Sequence, residues 1–262
     1  MLTRIFAVLA LLIALAPEWA EAKVQTKTIA YKHGDLELEG FLAWDDAIEG
    51  KRPGVLVVHE WWGLNDYARD RARQLASMGY VAFAMDMYGK GKKTEHPAEA
   101  KEWATQVRSN AAQWNERARK GYDILKEQEL VDPKRIAAIG YCFGGSTVLQ
   151  LALQGADLKA VASFHGALPI PEKSQVEKVT GKVLICHGAA DSFIPEETIQ
   201  KFRAAMDAGG ADWQMIYYAG ARHSFTVPDA DKAGIEGIKY QKHADERSWR
   251  HLKLLLDEAF AK

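Results

Sequence analysis

Gly140-Tyr141-Cys142-Phe143-Gly144-Gly145 joins a predicted buried strand (135–140) to a predicted helix (144–153). It has the form G-x-S-x-G with cysteine in place of serine. Such a sharp turn projects its central side chain above the sheet, and the N-terminus of the following helix favours a thiolate. The stretch therefore predicts Cys142 as a nucleophile, with a buried structural cysteine in a glycine-rich turn as the alternative.

Outward from this turn, apolar strands alternate with helical segments. The continuous apolar run 54–58 is typical of a strand that is covered on both faces. Alternation of this kind predicts an α/β fold with a mostly parallel central sheet flanked by helices. Strands are predicted at 54–58, 80–85, 135–140, 159–164, 182–187 and 213–218, and helices at 65–78, 97–128, 144–153, 196–208 and 246–260.

Two alternating, β-prone runs precede this pattern, at 24–31 and 36–44, and they meet around His33-Gly34-Asp35. They predict an N-terminal β-hairpin. Neither an internal repeat nor a linker rich in Pro, Gly or Ser divides the rest of the sequence. We therefore expect one domain over residues 23–262, without a large cap domain.

The first 22 residues have the features of a signal peptide. Arg4 precedes an uninterrupted apolar run (5–16), Pro17 ends that run, and Ala20-Glu21-Ala22 matches the small-x-small cleavage pattern. An uncleaved N-terminal anchor is the alternative. We expect residues 1–22 to be removed, which predicts an exported protein, periplasmic or secreted, with no stable membrane insertion after cleavage.

The composition narrows the class of function. The chain has 262 residues, 48% of them hydrophobic and 26% charged, as is ordinary for a globular protein. Because 34 Lys and Arg balance 35 Asp and Glu, general attraction to nucleic acid is excluded. The two cysteines cannot make a disulfide scaffold, and the sequence has no metal or nucleotide motif. A folded enzyme or binding protein without a cofactor is therefore expected.

Two more reactive side chains follow predicted strands. Asp191 lies in the loop after strand 182–187, and His223 lies in the loop after strand 213–218. Active sites of parallel sheets lie at the carboxyl ends of the strands, and nucleophile, acid and base come here in a known chain order. Each alone has an ordinary alternative, a helix N-cap for Asp191 and a surface histidine for His223. Together with Cys142 they predict a nucleophile–base–acid triad.

Val58-His59-Glu60-Trp61-Trp62-Gly63-Leu64 follows the first buried strand. The backbone N–H groups of Trp61 and Phe143 are the candidate donors of an oxyanion hole. Glu60 is an unusual neighbour for a nucleophile, because a buried carboxylate can take the proton of a thiol. The alternative is a structural carboxylate that pairs with an arginine such as Arg69.

These motifs together resemble those of the dienelactone hydrolase family, which has the α/β-hydrolase fold, and the resemblance runs from about Lys27 to the C-terminus. It implies an enzyme of carboxymethylenebutenolidase type that hydrolyses a small-molecule ester or lactone through Cys142, His223 and Asp191. In the family, a glutamate at the position of Glu60 interacts with the resting thiol and takes part in its activation. An acyl-thioester on Cys142 would be the intermediate.

The family holds the substrate carboxylate with two arginines, and this chain has Lys90 and Val227 near those positions. Lysine lacks the bidentate fork of arginine, and valine has no charge. Lys90 and Trp62 are the predicted substrate-binding residues. The alternatives are a general carboxylesterase or thioesterase, or a non-catalytic binding or redox-thiol protein, in each case a monomer or small homo-oligomer.

Cys186 lies within strand 182–187, and we interpret it as an apolar core residue. A disulfide between Cys142 and Cys186 is the alternative in an oxidising compartment.

Overall fold

The computed structural model describes residues 23–261, and the signal peptide predicted for residues 1–22 lies outside them. Eight strands form one sheet in the spatial order β1-β2-β4-β3-β5-β6-β7-β8. The pairs β1–β2 and β2–β4 are antiparallel, and every other pair is parallel. The strands are β1 (Val24–His33), β2 (Leu36–Asp45), β3 (Arg52–Val58), β4 (Val81–Met85), β5 (Val131–Tyr141), β6 (Ala160–Phe164), β7 (Lys182–Gly188) and β8 (Trp213–Tyr218).

Helices cover the sheet, and no separate cap domain interrupts residues 23–261. The predicted N-cap Asn65 accepts a hydrogen bond from the Ala68 N–H at 3.4 Å, as expected for the start of the first helix. The helices are α1 (Asp66–Ser77), α2 (Pro97–Arg108), α3 (Ala111–Lys126), α4 (Phe143–Leu153), α5 (Lys173–Val176), α6 (Glu196–Gly209) and α7 (Lys242–Ala259), with a 3₁₀ turn at Ala230–Ala233.

Continuous apolar strands supply a core on each face of the sheet. Every residue of β3 is buried. Val55 and Val57 pack into the cluster on one face, while Leu56 and Val58 pack into the cluster on the other. This alternation follows from the two-residue period of a strand. The apolar run that predicted a buried strand is therefore explained by helices on both faces.

The helical pattern predicted over 97–128 corresponds to two helices in the structure, α2 and α3. Ser109 and Asn110 separate them, and the Asn110 side chain accepts a hydrogen bond from the Gln113 N–H at 3.1 Å. That contact satisfies one of the free donors at the start of α3. Across the residues described, no helix has both the length and the apolar character that crossing a bilayer requires.

Candidate active site

Cys142 lies in the turn between β5 and α4, with its backbone in the left-handed region at φ 51°. The turn is tight. A Cβ on Gly140 would lie 2.1 Å from the carbonyl oxygen of Gly144, and one on Gly144 would lie 2.2 Å from that of Val58. Glycine is therefore required at both positions. A strained, non-glycine residue held in such a turn is typical of functional sites, where the surroundings maintain the conformation.

The structure brings the three predicted residues of the triad together. The Nε2 atom of His223 lies 3.0 Å from the Sγ atom of Cys142. On the other side of the ring, Nδ1 lies 2.8 Å from Oδ2 of Asp191. Asp191 also accepts a hydrogen bond from the Phe193 N–H at 3.0 Å, which fixes the carboxylate. The arrangement can hold an imidazole between a thiol and a carboxylate, as nucleophilic catalysis requires.

The electrostatics favour a protonated His223. Burial lowers the pKa of this imidazole, but the Cys142 sulfur and the Asp191 carboxylate outweigh burial and raise that pKa well above its ordinary value. An imidazolium is the natural partner of a thiolate. The raised pKa of His223 therefore suits a cysteine nucleophile.

Glu60 is buried two residues after β3, at the start of a turn, with 2% of its surface exposed. Its Oε1 atom accepts a hydrogen bond from the Ser224 hydroxyl at 2.9 Å. The alternative pairing with Arg69 is wrong, because that guanidinium lies over the ring of Phe41, 5.6 Å from its centroid. Burial raises the pKa of Glu60, and the opposing effects of His223, Ser224 and Trp62 do not cancel the increase.

We expect this raised pKa to make the stability difference between Glu60→Gln and the wild type depend on pH. A carboxyl whose pKa is higher in the folded state binds more protons there, so stability falls as pH rises from the unfolded value toward the folded one. Glutamine cannot titrate. The melting temperature of Glu60→Gln should therefore rise relative to the wild type between about pH 4 and pH 8, with roughly 2–4 °C for each kcal/mol.

The matched control for that experiment is Glu129→Gln, which changes an exposed glutamate. Its melting temperature should follow the wild-type curve at every pH. A difference between Glu60→Gln and the wild type that stays constant from pH 4 to pH 8 would contradict a raised pKa at Glu60.

The predicted oxyanion donors lie at the same edge of the sheet. Phe143 is the first residue of α4, and Trp61 follows the neighbouring strand β3. In the part of the chain that the structure describes, neither backbone N–H takes part in a hydrogen bond. The buried His59 supports this turn, since its Nε2 atom accepts from the Met87 N–H at 3.1 Å and its Nδ1 atom bonds to the Glu60 carbonyl. Two free N–H groups can therefore face a reacting carbonyl.

Of the two predicted substrate-binding residues, one lies beside the oxyanion turn. The Trp62 ring packs against that of Trp61, with 4.7 Å between centroids. The exposed ammonium of Lys90 lies 3.9 Å from the Glu39 carboxylate on β2. Asp86 caps the loop before Lys90 by accepting from the Gly89 N–H at 3.0 Å, which sets the direction of that loop.

A cavity of about 120 Å³ is lined by Tyr88, Trp103 and Trp114 together with polar side chains such as Lys92 and Arg117, and no residue of the triad lines it. Trp114 stacks on Phe143 with 5.9 Å between ring centroids, so the cavity wall continues into the residue next to Cys142. Among residues 23–261, no three His, Cys, Asp or Glu side chains are grouped to hold a metal ion.

Both cysteines are free, so the alternative of a Cys142–Cys186 disulfide is wrong for this structure. Cys186 is completely buried in β7. Burial raises the pKa of its thiol to about 12. Cys186 is therefore an inert core residue, whereas Cys142 is partly exposed.

Sequence reasoning missed three residues of the site. Ser224 and His165 have left-handed backbones, at φ 54° and 41°, and both face Glu60. The Phe193 ring packs edge-on against that of His223, at 5.2 Å, and is 48% exposed. Position could have indicated two of them, since Ser224 follows His223 and His165 follows the carboxyl end of β6.

Comparison with known proteins finds relatives in both sequence and structure. The profile of the dienelactone hydrolase family matches residues 38–260. Protein usf of Aquifex pyrophilus is 30% identical over 205 residues, which cover 75% of this chain and 85% of that protein. The solved structure of the dienelactone hydrolase-like promiscuous phosphotriesterase P91 from metagenomic libraries shares 37% identity at a TM-score of 0.89, over 92% of this chain and 100% of that chain.

A further solved structure, named m3DLH, shares 39% identity at a TM-score of 0.88, over 91% of this chain and 99% of that chain. These likenesses confirm the predicted α/β-hydrolase fold, with its mostly parallel sheet, flanking helices and N-terminal hairpin. Since the family profile matches most of its length, the chain belongs to the dienelactone hydrolase family and is a hydrolase of that kind.

Proposed function

We propose that this hydrolase cleaves an ester or lactone of a small organic acid, with Cys142 as nucleophile, His223 as base and Asp191 as the residue that orients the base. The observation that carries the proposal is the pair of contacts made by the His223 ring. Its Nε2 atom lies 3.0 Å from Cys142 Sγ, and its Nδ1 atom lies 2.8 Å from Asp191 Oδ2. Each contact lies within hydrogen-bonding distance, as a working triad requires.

The proposed reaction has two halves. The Cys142 sulfur attacks the carbonyl carbon, a C–S bond forms, and the N–H groups of Trp61 and Phe143 stabilise the oxyanion. The C–O bond then breaks, and the protonated His223 gives its proton to the leaving alkoxide. In the second half, His223 takes a proton from water, the resulting hydroxide attacks the acyl-thioester, and the acid leaves as the thiolate is restored.

Glu60 has a separate role in the proposal. It restrains the resting thiol and accepts its proton when substrate binds, which leaves a thiolate beside the imidazolium of His223. Glu60 returns this proton to the thiolate that is restored at the end of the reaction. Support comes from its burial, its raised pKa and its hydrogen bond to Ser224, the residue next to His223. A carboxylate with a raised pKa holds such a proton more readily than an exposed one.

The candidate oxyanion donors beside Cys142 indicate the substrate class. The cavity of about 120 Å³ is lined by polar as well as aromatic side chains and by no residue of the triad, so we assign no part of the substrate to it. The two N–H groups of the oxyanion turn suit a carbonyl oxygen.

The proposal is tested by trapping its intermediate. The protein is mixed with p-nitrophenyl acetate, quenched in acid after a few turnovers and digested, and the peptide that contains Cys142 is examined by mass spectrometry. We expect an acetyl group on Cys142 that hydroxylamine removes, together with hydrolysis of at least one member of a panel of small esters and lactones. An acetyl group on another residue contradicts the triad, and hydrolysis of none of the panel favours a binding or redox-thiol protein.

A further inference from the structure

His165 is a buried histidine next to the site that the proposed reaction does not use. It follows β6 and is completely buried. Its Nε2 atom lies 2.8 Å from the Thr226 hydroxyl, and its Nδ1 atom lies 3.7 Å from Oε1 of Glu60. The left-handed backbone of His165 and a hydrogen bond from its N–H to the Cys186 carbonyl, at 2.9 Å, fix this orientation. The ring therefore bridges Thr226 and Glu60.

The direction of the hydrogen bonds decides where His165 carries its proton. The Arg71 Nε–H donates to the Tyr67 hydroxyl at 3.3 Å, because a guanidinium has no acceptor. The Tyr67 hydroxyl donates to the Thr226 hydroxyl at 2.6 Å. Thr226 has one proton, which then goes to Nε2 of His165. The neutral imidazole must carry its own proton on Nδ1, on the side of Glu60.

A permanent charge fixes the start of this chain. Arg71 is 7% exposed, pairs with Asp245 and donates to the backbone carbonyl of Thr226 at 3.1 Å. A guanidinium stays protonated in proteins. The hydrogen bonds that link Arg71, Tyr67, Thr226 and His165 therefore all run in one direction. The last donor, the Nδ1–H of His165, is directed at the carboxyl group of Glu60.

His165 Nδ1 has no hydrogen-bond partner among the residues described, and neither has Oε2 of Glu60. The carboxylate oxygen nearer to His165, Oε1, accepts one hydrogen bond from Ser224 and can accept another. A gap of 3.7 Å between Nδ1 and Oε1 is too narrow for a water molecule between them, and a small rotation of the carboxyl group closes it. Because a buried donor left without an acceptor is costly, closure is favoured whenever Glu60 is ionised.

We propose that His165 is a positioning residue, which supplies its Nδ1–H to the Glu60 carboxylate and holds that carboxylate in the place from which it acts on Cys142. The inference rests on the role proposed above for Glu60. This role gives a function to the hydrogen-bonded series Arg71–Tyr67–Thr226–His165, which extends from α1 to the site and includes no member of the triad.

The charged surroundings agree with a neutral donor. Burial, followed by the charges of His223, Arg71 and His187, lowers the pKa of His165 well below its ordinary value. His165 therefore acts through its tautomer and not through a charge. The titratable groups that face Glu60 are His223, His165, Tyr67 and Tyr88.

The first measurement uses the wild-type protein. Long-range ¹H–¹⁵N NMR of the histidine rings, with His165 assigned by its absence from His165→Phe, reports which nitrogen carries the proton. We expect His165 to be neutral with the proton on Nδ1 from about pH 5 to pH 8. A proton on Nε2 would overturn the proposal, because the N–H would then face Thr226 and not Glu60.

The second measurement follows the protonation of Glu60 by infrared spectroscopy as a function of pH. The carboxyl band of Glu60 is assigned by its absence from Glu60→Gln, and its titration gives a midpoint. In His165→Phe, which keeps a ring but no N–H, the midpoint should rise by about 1–2 pH units, the usual value of a hydrogen bond to a charged group. His165→Asn tolerates the left-handed backbone and keeps an N–H, so it should restore the wild-type midpoint. An unchanged midpoint in His165→Phe would refute the role.

Tyr141→Phe is the matched control. It removes the hydroxyl of a buried tyrosine whose ring lies 6.1 Å from that of His165 but whose hydroxyl has no partner in the described structure. The Glu60 midpoint should stay at its wild-type value. Neither readout needs turnover. If the protein hydrolyses esters but His165 carries its proton on Nε2, only the role of His165 is refuted. If His165 carries its proton on Nδ1 but no ester is hydrolysed, the proposed reaction is refuted instead.

Discussion

Replacing Cys142 by alanine is expected to reduce kcat/KM for p-nitrophenyl acetate by about 10⁴- to 10⁶-fold, as removal of a nucleophile does in comparable triads. The loss should be this large because alanine leaves His223 and Asp191 with no group to activate. The rate that remains would come from the oxyanion N–H groups and binding. Steady-state kinetics of the two purified proteins give the ratio.

Cys186→Ala is the control for that experiment. It removes the other thiol, which is completely buried in β7 and distant in role from the triad. Hydrolysis by Cys186→Ala should match that of the wild type, and iodoacetamide should still label it at one site. If Cys142→Ala hydrolyses the ester at the wild-type rate, or if Cys186→Ala is the inactive variant, the assignment of the nucleophile is wrong.

The fold could be predicted because its strands are apolar in an unusual way. A run such as 54–58 has no polar face, so it needs cover on both sides, and only a sheet between two layers of helices provides that. The break between α2 and α3 was missed for a physical reason. Helix-forming residues continue on both sides of Ser109 and Asn110, so periodicity alone does not mark the point where α3 turns to pack.

The triad could be predicted because each member follows a strand. Parallel strands bring their carboxyl ends to one edge, so local position was enough for Cys142, Asp191 and His223. Their catalytic roles stay predictions until the variants are measured. The contacts of Glu60 could not be predicted in this way, since Ser224 and His165 reach it only through left-handed backbones after β8 and β6. Spacing along the chain does not show such conformations.

The side chain of Lys90 shows what position along the chain leaves open. Its position after β4 suggested a substrate contact, but the direction of its side chain depends on the loop. There the Lys90 N–H donates to the Glu37 carbonyl at 2.8 Å, and the ammonium turns toward Glu39. The resemblance in sequence indicated that Lys90 follows β4, whereas the hydrogen bonds of the loop determine where its ammonium group lies.

Asp191→Asn should be nearly as damaging as loss of the nucleophile, with kcat/KM reduced by about 10⁴-fold, although the shape of the side chain is kept. The carboxylate accepts from Nδ1 of His223 at 2.8 Å. In the acyl-enzyme, where His223 is neutral, it therefore keeps the ring proton on Nδ1 and leaves Nε2 free to take a proton from water. An amide can donate to Nδ1 instead. The ring would then carry its proton on Nε2 and could not act as a base.

The same substitution has a consequence for pH, and its sign follows from the charges. Because Asp191 is one of the groups that raise the pKa of His223, its replacement by a neutral amide should lower that pKa, so the imidazolium is lost at a lower pH than in the wild type. NMR titration of the His223 ring measures the midpoint without turnover. Asp231→Asn, which changes an exposed aspartate, should leave both the midpoint and the rate unchanged. A midpoint that stays in place while the rate falls would mean that Asp191 acts by orienting the ring alone.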